Sequence, residues 1–186
     1  MQADSKVVLD ACVLANIAVC DLFLRLAEKP RLLVPKWSSQ TLEETRRTQA
    51  VKLNWPPHLV ESWRRAVEQT FPDSTVDDDE DLIQRLTNHP KDRHVLAAAI
   101  RSRASDIVTF NLKDFPRRSL EPFGIKAFHP QDYLLTRYFI APEIMTCKLR
   151  QMARKRDLGL INLLRLLGKA LPAMTLHLIQ DLGLEH

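Results

Sequence analysis

The chain has 186 residues, a net charge of +4 and 45% hydrophobic residues, which suits a globular protein that buries its own core without disulfide staples. Its three cysteines (Cys12, Cys20 and Cys147) have apolar neighbours and no CxxC spacing, which excludes a disulfide scaffold or zinc ribbon and points to buried thiols in a reducing, cytoplasmic compartment. Residues 1–6 form a short polar lead, the next apolar run is broken at Asp10 and Asp21, and nothing approaches the ~18 apolar residues of a membrane span, so neither signal peptide nor membrane is expected.

Val7–Leu9 is a continuous apolar run of the kind a buried parallel strand requires. Asp10 follows at once, and an ionisable group in such a place needs hydrogen bonds, a charge partner or a metal. From Asn16 to Glu28, apolar residues recur at helical spacing through Ile17, Cys20 and Leu24, until Pro30. Residues 31–35, RLLVP, read as a second strand. SSQTLEETRRTQ then has a helix start, with Ser38 or Ser39 as cap. Pro56–Thr70 is a helix with Leu59, Trp63, Ala66 and Val67 on one side, and Asp77–Thr87 a loop entering a short helix. After Pro90 comes a strong Ala-rich helix, then the strand DIVTF, the loop NLKDFP and a last short strand in GIKAF. Strands alternating with helices predict an α/β fold with a mostly parallel central sheet flanked by helices. From Pro142 onward the pattern is helical, with a break at Leu171–Pro172. The division expected is residues 1–140 for the α/β unit and 141–186 for a helical C-terminal extension.

In an open parallel sheet, functional groups collect at the carboxyl ends of the strands. Asp10 lies at the end of the first strand, Asp114 just past DIVTF, Asp92 at the entry to the Ala-rich helix and Glu44 in the early turns of the helix after RLLVP. Four carboxylates from four segments converging on one sheet edge repel one another unless protons or cations intervene. Oxygen ligands of this kind suit hard cations such as Mg²⁺ or Mn²⁺. Taken singly, Asp92 is an N-cap, Glu44 a solvated helix residue and Asp114 a turn residue; only Asp10 resists such a reading. Thr109 and Asn111 satisfy the loop backbone. His89 and His94 lack a second histidine at helical spacing and read as surface or core residues. The run Asp77–Asp81 reads as a solvated loop.

Three stretches, VVLDACVL, WSSQTLEETRR and PKDRHVLAAAIRSRASDIVTFNLKDFP, resemble the PIN-domain nucleases, in the subgroup near the VapC-type toxins. The resemblance covers about residues 6–135, and its last stretch is the specific one. It implies a three-layer PIN-like fold and an endoribonuclease that hydrolyses single-stranded RNA with Mg²⁺ or Mn²⁺, leaving a 5′-phosphate and a 3′-hydroxyl. The metal-ligating and catalytic acids it implies are Asp10, Glu44, Asp92 and Asp114, with Thr109 and Asn111 supporting them. Glu43 is the alternative to Glu44, about 100° away on the helix. Cys12 stands where relatives carry Asn or Ser, so polar support is expected to be lost there, and His89 and Lys91 occupy a stretch where relatives carry more acids.

Under this resemblance Arg46, Arg47 and Arg93 are candidates for holding the RNA backbone, with Arg47 nearest the face of Glu44. A toxin implies an antitoxin partner, and a homodimer is a further expectation. Other readings are an RNA-processing PIN nuclease without a toxin role and a catalytically silent PIN module that binds nucleic acid or a partner. A haloacid-dehalogenase-like phosphatase needs a second Asp where Cys12 stands. The apolar stripe Ile144, Met145, Leu149, Met152, Leu160, Leu163, Leu164 and Leu167 must be covered by the chain's own α/β unit, a second copy or an antitoxin helix, and Arg154, Lys155 and Arg156 offer an RNA-channel border instead.

Overall fold

The computed structural model describes residues 5–184. Five parallel strands, β1 (Lys6–Leu9), β2 (Val34–Ser38), β3 (Thr75–Val76), β4 (Asp106–Val108) and β5 (Lys126–Phe128), form one sheet in the order β3-β2-β1-β4-β5. The chain starts at the centre, winds outward through β2 to β3, then returns across β1 to β4 and β5. The strand order therefore reverses between β1 and β4, and a crevice opens beyond the carboxyl ends of strands at such a reversal.

Between β1 and β2 lie α1 (Ala11–Leu14) and α2 (Ile17–Ala27). Two more, α3 (Ser39–Arg47) and α4 (Pro57–Thr70), lead to β3; α5 (Glu80–Arg85) and α6 (Arg93–Ser102) lead to β4; α7 (Arg117–Leu120) precedes β5. The chain ends with α8 (Pro130–Ile140), α9 (Pro142–Lys155), α10 (Leu160–Gly168) and α11 (Pro172–Asp181). None of the described helices is long and apolar enough to cross a membrane.

Alternation along β1 sends its side chains into two cores, one on each face of the sheet. Val8 joins Ile107, Val95, Leu96 and Ala99 beneath α6, while Val7 and Leu9 join Val108, Phe23 and the apolar faces of α8–α11. Burial on both faces is the reason the strand reads as uninterrupted apolar residues. This is the α/β architecture with a parallel sheet between helical layers that the sequence predicts, consistent with a PIN-like three-layer fold.

The details differ in places. The second strand is VPKWS rather than RLLVP. Pro35 does not end it: Val34 donates toward β1, at Ser5, and Trp37 toward β3, at Ser74. By alternation Pro35 faces the β3 side, where pairing begins only at Trp37, so its missing N–H costs no ladder bond. The short β3 was not foreseen. Thr109 and Phe110, read as strand, lie beyond the ladder. Cys147, read as buried, is exposed.

The C-terminal stripe packs back on its own chain. Met145, Leu149, Met152, Leu163, Leu164 and Leu167 are fully buried in the same core as Leu9 and Phe23. At about 1.5–3 kcal/mol for each buried large apolar side chain, this face is a large share of the hydrophobic stabilisation. Lys148 is buried with it and donates to the backbone carbonyls of Glu28 and Lys29, at 3.2 Å each.

Candidate metal centre

Asp10 continues from β1, its N–H donating to the carbonyl of Val108 at 3.1 Å. It also caps α1, with Oδ1 accepting from the Ala11 N–H at 2.6 Å. Its Oδ2 accepts from the Thr109 hydroxyl at 2.6 Å and from the Cys12 thiol at 3.1 Å. Asp10 is 3% exposed, and these donors make that burial tolerable. Thr109 is itself fixed by the Asn111 N–H at 2.9 Å. The expected loss of polar support at Cys12 is thus corrected: a thiol is a weak donor, and this one donates to Asp10. Burial, then the Asp10 charge, pushes the Cys12 thiol up to about 12, which keeps its proton in place.

Glu44 lies on α3, whose cap Ser38 accepts from the Thr41 N–H at 3.0 Å. Partial burial works to raise its carboxyl, but the neighbouring His94 imidazole and Gln40 amide outweigh this and hold it below the ordinary range. The His94 Nε2 stands 3.4 Å from Glu44 Oε1, and its Nδ1 lies 2.7 Å from the Ser38 hydroxyl. Glu43 points elsewhere, into a two-pronged pair with Arg46 at 2.7 Å for each bond.

Asp92 and Asp114 come from two separate segments that meet. The His89 N–H donates to the Asp114 carbonyl at 3.1 Å, and the Asp92 N–H to the His89 carbonyl at 2.9 Å. The His89 Nδ1 is 3.1 Å from Asp92 Oδ2. One ligand atom each from His89, Asp92 and Asp114 falls within 4.8 Å of the other two. Burial, then the charges of Asp10 and Asp114, raises the Asp92 carboxyl above its ordinary range, against the pull of His89. Carboxylates brought together at this cost form a donor set that fits a divalent cation.

All four predicted acids line one open cleft of about 910 Å³, with Asn111 and Cys12 on its wall. Among the described residues, Asp10 and Glu44 stand outside the 4.8 Å cluster. Of the predicted RNA contacts, Arg47 lines the cleft; Arg46 is taken up by Glu43, and Arg93 donates to the Asn88 carbonyl at 3.3 Å. Three other cations on the wall, Lys52, Lys91 and Lys113, were not among the expected RNA contacts. Lys52 arrives because α3 runs on into a wider turn, Thr48–Lys52, closed by the Leu53 N–H bonding the Thr48 carbonyl at 3.1 Å. Such π-type turns re-aim side chains at functional sites. His89, weighed on the sequence as a metal ligand and set aside for want of a second histidine at helical spacing, stands just before Pro90, which starts the short 3₁₀ turn carrying Asp92.

No family model matches the chain. Over 55 residues, 30% of this chain, it is 64% identical to a protein of Mycobacterium tuberculosis named "Putative ribonuclease VapC50". The match spans about a third of that relative's length, 32%. Over this stretch the chain is similar to a protein named as a VapC ribonuclease.

Proposed function

We propose that the protein is a divalent-metal-dependent endoribonuclease of the VapC type, the toxin of a toxin–antitoxin pair, acting on single-stranded RNA. The observation that carries this reading is the cleft itself. Four carboxylates from four segments face it, and Arg47, Lys52, Lys91 and Lys113 rim it. Among the described residues, none of these four cations is spent in an ion pair. The similarity to a protein named as a ribonuclease supports the same reading.

In this reading Asp92 and Asp114 hold the ion, Asp10, oriented by Thr109 and Cys12, faces the same cleft, and Glu44 completes the acidic wall. A bound divalent ion lowers the pKa of a water and offsets charge on the phosphate. Arg47 and the three lysines hold the phosphodiester backbone, so binding weakens as salt rises. Where the carboxylates gather, a phosphate oxygen is repelled until a cation is present.

The test is cleavage of single-stranded RNA in Mg²⁺ or Mn²⁺, with EDTA and the Asp10→Asn protein as controls. Cleavage that disappears in both controls is expected. Cleavage that survives EDTA, or none across varied RNAs, refutes the reading. Co-purification with the product of a neighbouring small gene tests the antitoxin.

A further inference from the structure

We propose that His89 is a ligand of the metal ion in this cleft, and that its imidazole biases the site from Mg²⁺ toward first-row transition ions, a bias that Mn²⁺, the first of that row, reports against Mg²⁺. The inference rests on the reading of the cleft as a metal-dependent site and adds the identity of the ion.

The geometry suits ligation. The His89 Nδ1 and Asp92 Oδ2 are 3.1 Å apart. Two ligands at right angles around an octahedral ion, each ~2.1 Å from it, stand ~3.0 Å apart. The third member, an Asp114 oxygen, lies within the same 4.8 Å cluster. Backbone bonds hold the set: His89 ties to the Asp114 carbonyl through its N–H and to the Asp92 N–H through its carbonyl. His89 thus joins the two acid-bearing segments, and its Nδ1 is turned toward Asp92. Pro90 sets the turn between His89 and Asp92.

Ligand chemistry then sets the preference. Mg²⁺ favours oxygen donors and gives up water reluctantly. Imidazole suits transition ions, and affinity for a mixed nitrogen–oxygen site rises along the first row from Mn²⁺. A surface His–Asp pair without a metal role predicts no such bias.

The His89 side chain is 46% exposed, so His89→Gln removes the imidazole without opening a core. The experiment is competition binding of Mn²⁺ against Mg²⁺, with pulsed EPR of bound Mn²⁺, on wild type and His89→Gln. The wild type is expected to favour Mn²⁺ and to show nitrogen hyperfine coupling; His89→Gln is expected to lose the coupling and to cut the Mn²⁺/Mg²⁺ preference about tenfold. A coupling that persists in the variant, or an unchanged preference, overturns the proposal. Wild-type RNA cleavage in Mg²⁺, measured separately, decides whether the nuclease reading falls with it. A wild type that binds no divalent ion overturns both.

Discussion

The buried imidazole of His94 sits between Ser38 and Glu44, with Nδ1 2.7 Å from the Ser38 hydroxyl and Nε2 3.4 Å from Glu44 Oε1. One ring thus links the cap of α3 to the carboxylate that α3 presents to the cleft. His94→Ala removes that link and leaves Ser38 short of a buried partner. Its expected cost is about 1–3 kcal/mol of stability, read by urea denaturation. Its expected effect on cleavage is a fall in kcat comparable to that of Glu44→Gln, with little change in KM. A variant that folds and retains full kcat would show that Glu44 does not depend on this ring.

Asp92 makes a prediction about pH. Its folded-state carboxyl is raised, by burial first and then by Asp10 and Asp114. A raised folded value means that the folded state holds its proton more tightly than the unfolded chain does. The contribution is fully present below the ordinary carboxylate range and is lost as pH rises through the raised folded value. In the metal-free protein at neutral pH, ionised Asp92 is therefore a liability. Asp92→Asn is expected to be more stable than wild type there, with the gain vanishing in acid. Urea denaturation in EDTA at neutral and acidic pH measures this. Excess Mn²⁺ should reverse the ranking, because only the wild type binds it well.

Asp10 accepts from the Thr109 hydroxyl at 2.6 Å and from the Cys12 thiol at 3.1 Å, and the two bonds differ in strength. Thr109→Val keeps shape and deletes a hydroxyl that serves a buried charge, at an expected cost of about 1.5–3 kcal/mol together with most of the cleavage activity. Cys12→Ser exchanges a weak donor for a strong one and is expected to keep or raise activity. Cys12→Ala should fall between. Thermal unfolding and single-turnover cleavage of the three variants check the order.

What the sequence made legible was what burial and chemistry write locally. Val7–Leu9 are apolar because both faces of β1 are covered, and Asp10 stands out against that run for the same reason. Glu44 was distinguished from Glu43 by resemblance, and in the fold it is Glu44 that lines the cleft while Glu43 turns to Arg46. What was not legible depends on contacts between distant segments. His89 meets Asp114 only because their backbones pair, and nothing in its neighbours announces that. Pro35 looked like a strand end because its tolerance depends on how short the neighbouring β3 is. Lys52 reaches the cleft through the wider turn after α3, which no periodicity reports. The apolar stripe of α9 and α10 was plain, but a stripe does not name its partner.

That partner is the chain's own α2 and α8, and the last prediction follows from it. Leu163 is fully buried on α10, in the core that α2, α8 and α9 share. Leu163→Ala is expected to cost about 2–5 kcal/mol through lost burial and the cavity left behind. None of α9–α11 lines the cleft. The folded fraction of Leu163→Ala should therefore cleave RNA at the wild-type rate, in contrast to Thr109→Val, which is expected to lose both stability and rate. Truncation after Ile140 removes the whole cover and bares the apolar faces of α2 and α8, so aggregation and dye-detected apolar surface are expected. A truncated chain that stays monodisperse and unfolds cooperatively would mean that the extension is not needed to complete the core.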